Sequence, residues 1–131
     1  MKTFFMIKPD GVKRNIIGDV INRVERKDFV ITKMKMMQIT PELAEKHYGE
    51  HSEKPFFNDL VNFITSGPVV ALEVEGENAV LAIRELMGAT NPADADPGTI
   101  RGDLASKLEE NVVHGSDSEE SADRELALFF N

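Results

Sequence analysis

Apolar and polar positions along this chain fall into short segments with two different periods. Thr3 to Ile7 is an apolar run closed by the turn formers Lys8-Pro9-Asp10-Gly11, which predicts a first strand. Ile17, Val20, Ile21 and Val24 then recur at helical spacing with charged residues between them, so an amphipathic helix is expected over residues 12 to 27. Phe29 to Ile39 is rich in β-branched residues and Met with partial alternation, a second strand. Thr40-Pro41-Glu42 supplies a cap, a proline for the first helical position and an acid for the first turn, so a helix follows. Pro55 to Ser66 is again helical in spacing and is stopped by Gly67-Pro68. Val69 to Val74 predicts a third strand, and Asn78 to Met87 a helix with Val80, Ile83 and Met87 on one face.

Beyond Met87 the periodicity disappears. Gly88 to Asp103 is rich in Gly and Pro and predicts a long irregular loop, with Ile100 as its apolar anchor. Leu104 to Glu110, LASKLEE, has a helical and acidic character. Val112-Val113 reads as the remnant of a fourth short strand, and Ser118 to Phe130 as a last helix opened by Ser118 or Asp117. Two β-α-β units in one chain predict an α+β fold of ferredoxin-like βαββαβ order: a four-stranded antiparallel sheet with helices on one face. That architecture serves many unrelated functions, so function must be sought in particular residues.

Composition narrows the chemistry. The 131 residues fit a single domain, 1 to 131, with one sizeable core; 41% are hydrophobic and 29% charged. No apolar run approaches the roughly 18 residues of a membrane span. The start, MKTFFMIKPDG, meets a charge and a turn too soon for a signal peptide, so a cytoplasmic protein without a membrane association is expected. Cysteine is absent, which leaves His, Ser, Tyr, Lys and carboxylates as reactive groups. A net charge of -8 argues against nucleic acid as a partner. An acidic protein can still hold one phosphate group where a few cations are gathered locally.

Lys8 at the end of the first strand, Arg84 in the third-strand helix, and Arg101 beside Gly102 are the cations to watch. His114, between a strand and a helix start, is the imidazole they could surround. Taken singly, each also reads as an ordinary surface residue. A second histidine pair, His47-Tyr48-Gly49-Glu50-His51, has the H-x-x-E-H spacing of one class of zinc protease. Gly49 weakens the helix this would need and no third ligand stands nearby, so two surface histidines on an acidic helix are expected there, and no protein-held metal.

Five stretches in order resemble the nucleoside diphosphate kinases: FMIKPDGV from Phe5, SGPVV from Ser66, GATNPAD from Gly88, PGTIRGD from Pro97 and NVVHGSDSEESA from Asn111. The resemblance runs from Thr3 to Phe130. It implies an enzyme that moves the γ-phosphate of a nucleoside triphosphate to a nucleoside diphosphate by a ping-pong route, with His114 as the phosphorylated nucleophile. Ser116 and Glu125 match residues that support that histidine, and Lys8 is counted with them. Lys8, Tyr48, Arg84, Thr90, Arg101 and Asn111 match phosphate and ribose contacts, while Phe56 matches the aromatic on which the base stacks and Leu60 its apolar neighbour. Mg²⁺ is implied as a cofactor carried mainly by substrate phosphates, with Asp117 among the carboxylates that could meet it through water. A homo-oligomer built from dimers, as a tetramer or hexamer, is implied as well. The chain stops one residue after Phe130, where many relatives continue, and weaker contacts between subunits are expected from that.

Overall fold

A computed structural model describes residues 1–131. The strands are β1 (Lys2–Ile7), β2 (Val30–Met37), β3 (Val69–Glu75) and β4 (Val113–Gly115). The helices are α1 (Pro9–Lys13), α2 (Ile17–Arg26), α3 (Pro41–His47), α4 (Phe57–Ile64), α5 (Ala79–Met87), α6 (Ile100–Leu104) and α7 (Glu119–Phe129). The sheet order is β2-β3-β1-β4, with every neighbouring pair antiparallel. This is the expected ferredoxin-like arrangement.

Helices cover both faces of the sheet rather than one. β1 and β3 are apolar at nearly every position, and a strand of that kind needs cover on each side. Phe5, Ile7, Val70, Leu72 and Val74 pack with Val20 and Val24 of α2 and with Ile83 and Met87 of α5. On the other face Phe4, Met6, Val69 and Ala71 pack with Ala44 of α3, Ile64 of α4 and Phe129 of α7. Each such large apolar side chain contributes about 1.5–3 kcal/mol on full burial. β1 therefore runs through the middle of the molecule, and its C-terminal end delivers Lys8 to the rim.

The predicted helix over 12 to 27 is broken into α1 and α2, because Asn15 takes φ +60 between them. The Gly/Pro-rich loop is largely turned: a 3-10 turn spans Pro92–Asp94 and α6 spans Ile100–Leu104, capped by the Asn91 and Thr99 side chains at Ala93 N and Gly102 N. LASKLEE is not helical beyond Leu104. Ser118, not Asp117, caps α7, accepting from Ser121 N at 3.0 Å.

Candidate functional site

β4 is only three residues long, and an unusual turn sets its position. Val112 takes φ +74, and Val113 N donates to Asn111 O at 2.8 Å, closing a γ-turn around a β-branched residue that rarely adopts it. The buried Asp10 carboxylate secures the turn by accepting from Val112 N at 3.0 Å, while Val112 O accepts from Lys8 N at 2.9 Å. β4 then pairs with β1 so that His114 lies opposite Met6 and Gly115 opposite Phe5. A Cβ on Gly115 would stand 2.5 Å from Met87 Sδ, so with glycine there the strand presses against α5 without displacing the Met87 side chain. Alternation sends the His114 ring to the opposite face, toward α3 and α7.

There His114 opens onto a cleft of about 750 Å³, also lined by Lys8, Tyr48, Phe56, Leu60, Arg84, Thr90, Arg101, Asn111 and Glu125. Side chains from the end of β1, α4, α5, the long loop and α7 thus reach one space. The His114 side chain is 27% exposed, neither sealed nor loose. Lys8 Nζ donates to Asn111 Oδ1 at 2.6 Å and lies 5.5 Å from the Phe63 ring centre; Asn111 Nδ2 in turn donates to Thr90 O at 2.9 Å. Burial pushes the Lys8 pKa down to about 8, with Asp10 opposing and Arg101 adding to the fall. Arg84 donates to Gly115 O at 3.2 Å.

Arg101 is buried and spends three of its N–H groups on the carbonyls of Asn111, Gly88 and Val113, at 3.2, 3.1 and 2.7 Å. It ties the long loop to β4 and offers its remaining donors to the cleft. Phe56 stands at the mouth, 45% exposed, with its ring 5.9 Å from that of His51. Acids share the lining, namely Glu50, Asp59, Glu109 and Asp117, so the positive character is confined to the Lys8, Arg84 and Arg101 end.

Ser116, behind the cleft wall, and Glu125, at its inner lining, are both buried, not solvated. His114 Nε2 lies 3.1 and 3.2 Å from the two Glu125 oxygens, and Ser116 Oγ donates to Oε1 at 2.5 Å. Burial pushes Glu125 up, but the hydrogen bond and charge of His114 and the Ser116 hydroxyl outweigh it and hold the carboxyl at about 2. A carboxylate accepts only, so Nε2 carries the proton and Nδ1 keeps the free lone pair of the ring. Tyr48, pushed up to about 12 by burial and then by Glu125, remains a neutral phenol.

Two residues at this site escaped the sequence reading. Asp10 reads there as turn chemistry alone. His47, expected on the surface, is only 3% exposed: α3 ends at His47, so His47 and His51 do not share a helical face, and His47 turns inward beside Glu125 and His114. The signal was the spacing Leu43, Ala44, His47, which continues the apolar face of α3. Donor atoms of His47, His114 and Glu125 lie within 4.8 Å of one another. Two imidazoles and one carboxylate already bonded to Ser116 do not suit Mg²⁺, which prefers oxygen and water in an octahedron. Asp117, exposed on the cleft rim and free of capping duty, does suit a water-mediated contact with a phosphate-bound Mg²⁺.

Comparison with known proteins bears directly on this arrangement. The family model described as nucleoside diphosphate kinase matches residues 1–131. The nucleoside diphosphate kinase of Exiguobacterium sibiricum is 64% identical over 129 residues, covering 98% of this chain and 94% of that one. The chain belongs to the nucleoside diphosphate kinase family. It is therefore an enzyme. Its Thermus thermophilus relative is 60% identical over the same coverage of 98% and 94%. Among solved structures, a halophilic nucleoside diphosphate kinase from Halobacterium salinarum in complex with CDP superposes with a TM-score of 0.97 at 53% identity, covering all of this chain and 88% of that one. The apo enzyme from Encephalitozoon cuniculi gives 0.95 at 41% identity, covering 98% and 87%.

Proposed function

We propose that the protein transfers the γ-phosphate of a nucleoside triphosphate to a nucleoside diphosphate through a phosphohistidine on His114. The observation that carries this reading is the His114 to Glu125 pair, which leaves Nδ1 as the nucleophile in a cleft edged by Lys8, Arg84 and Arg101. In the first half-reaction the Nδ1 lone pair forms a bond to the γ-phosphorus as the bond to the β–γ bridging oxygen breaks, and the nucleoside diphosphate leaves with that electron pair. Nε2 keeps its proton throughout. The ring gains positive charge as the N–P bond forms, and the adjacent Glu125 carboxylate stabilises it. In the second half-reaction a terminal oxygen of the acceptor diphosphate displaces Nδ1 from phosphorus.

Lys8, Arg84 and Arg101 neutralise charge spread over the transferring oxygens. Tyr48, Thr90 and Asn111 bind phosphate and ribose, while Phe56, backed by Leu60, stacks the base; because every base has a π-face, broad nucleotide specificity follows. Mg²⁺, held by substrate phosphates with Asp117 reaching it through water, would supply neutralisation of phosphate charge. The reading carries with it a cytoplasmic location and a homo-oligomeric state built from dimers.

Incubation with γ-labelled ATP should yield an acid-labile, alkali-stable phosphoprotein that is lost in His114→Ala. That variant should fold like the parent and lose at least about a thousandfold in turnover. Label that survives the substitution, or a wild type that binds nucleotide and takes no label, would replace this reading with another nucleophile or with a nucleotide-binding module.

A further inference from the structure

His47 is buried, walled by Phe4, Tyr48 and Phe129, and its ring stands 4.8 Å from that of His114 at 80°. Neither of its nitrogens has a hydrogen-bond partner. A neutral imidazole must carry one N–H, and a buried donor left unpaired is costly enough that native sites seldom keep one without a use. The acceptor facing Nδ1 is Glu125 Oε2, at 3.7 Å.

The carboxylate has an asymmetry that this distance explains. His114 Nε2 sits astride both oxygens, and Oε1 is held from the far side by Ser116 Oγ. Oε2 has no hydrogen bond of its own beyond His114; besides His47 it pairs with Arg124 Nη2 at 3.6 Å, from a side chain 40% exposed. We propose that His47 is a positioning residue: its Nδ1–H closes onto Glu125 Oε2 when charge develops on the His114 ring, so that each carboxylate oxygen has its own donor and the carboxylate cannot swing away from Nε2. Hydrogen bonds of this kind are often long in a free enzyme and shorten in the reacting complex. Burial and the neighbouring His114 ring, then Arg124 and His51, push the His47 pKa down to about 3 against the pull of Glu125, so it acts as a neutral dipole and does not compete with His114 as a second cation.

This inference rests on the phosphotransfer reading above, and the test separates the two. His47→Phe keeps the ring and removes the donor; His47→Asn keeps an N–H near the Nδ1 position. Single-turnover phosphorylation by ATP should slow roughly ten- to a hundredfold in His47→Phe, the weight of one hydrogen bond to a charged group, with KM for ATP unchanged, while His47→Asn recovers most of the rate. Equal losses in both variants, or none in His47→Phe, would overturn the clamp. ¹⁵N spectra of the wild-type rings decide it independently of any variant's folding or of catalysis: His47 should be the Nδ1–H tautomer, and finding it protonated on Nε2 alone overturns the proposal. A wild type that never takes phosphate on His114 would sink the phosphotransfer reading and leave that spectrum to judge the clamp.

Discussion

Lys8 shows how one side chain's burial becomes a visible property of the enzyme. On the proposed reading its ammonium is the form that pairs with phosphate, and burial brings its pKa down to about 8 in the free protein. Because kcat/KM reports the ionisation of the free enzyme, it should fall about tenfold per pH unit above that value. Lys8→Arg, charged across the whole range, should flatten this limb at a lower plateau, since a planar fork does not replace a point charge. Unfolding does not imitate the effect: the unfolded lysine binds more protons between pH 8 and 10.5, so the Lys8 contribution to stability rises with pH in that window. Tyr48, pushed up to about 12, titrates too high to be the group responsible. A profile flat to pH 10 would mean that Lys8 keeps its charge there or takes no part in phosphate binding, and either outcome breaks the link drawn here between its burial and turnover. The residues legible beforehand were those set in turn-rich motifs, Lys8 in KPDG, Arg101 in TIRGD and His114 in HGSDS. His47 was not, because its burial comes from Phe4 and Phe129, near opposite ends of the chain. Glu125 became legible only through resemblance, since its role needs α7 folded back across β1.

Strands and helices were legible where their pattern is local. α3 and α7 begin at caps visible in the sequence, Thr40 and Ser118, and β1 and β3 are apolar runs of ordinary length. The apolar pair Val112-Val113 points to β4 one residue too early, because its position depends on the γ-turn and on a carboxylate about a hundred residues away in sequence. That dependence is testable. Asp10→Ala leaves the buried Val112 N–H without its acceptor and should lower unfolding stability by about 1–3 kcal/mol in urea titrations. It should also slow phosphorylation, since His114 rides on the same short strand. Asp10→Asn keeps an acceptor oxygen and should lose less on both counts. An Asp10→Ala protein as stable and as fast as its parent would mean that pairing with β1 alone holds β4. The two-sided packing of the sheet is hidden for a related reason: continuous burial of β1 and β3 states that both faces are covered, whereas helix spacing alone does not say which face each helix takes.

Taken as a whole, the molecule leaves one long strand edge open. β2 pairs only with β3, so its outer backbone groups are unpaired, and Val30, Met34 and Met36 are more than half exposed along it. Met34 and Met36 lie on the same sheet face as Leu72 and Val70, beside α2, where the apolar layer runs out to solvent. Lys33 and Lys35 project to the other face, with their ammonium groups 5.9 and 5.1 Å from the Phe130 ring centre. On the proposed dimer-based assembly a second copy of the chain would cover this edge and its methionines, a run, VITKMKMM, that a lone domain would have to protect. The net charge of -8 opposes association at long range, yet the run itself contains no acid, and at 0.1 M salt repulsion is screened beyond about 10 Å. Short-range burial should therefore win at physiological ionic strength and weaken as salt is removed. Light scattering at 0.15 M salt should give a multiple of 14.6 kDa. Met34→Lys combined with Met36→Lys should shift the particle toward the monomer and lower its Tm while leaving the cleft residues in place. A wild-type particle of 14.6 kDa at every protein concentration would show that this edge is tolerated bare, and the dimer-based assembly would have to be abandoned.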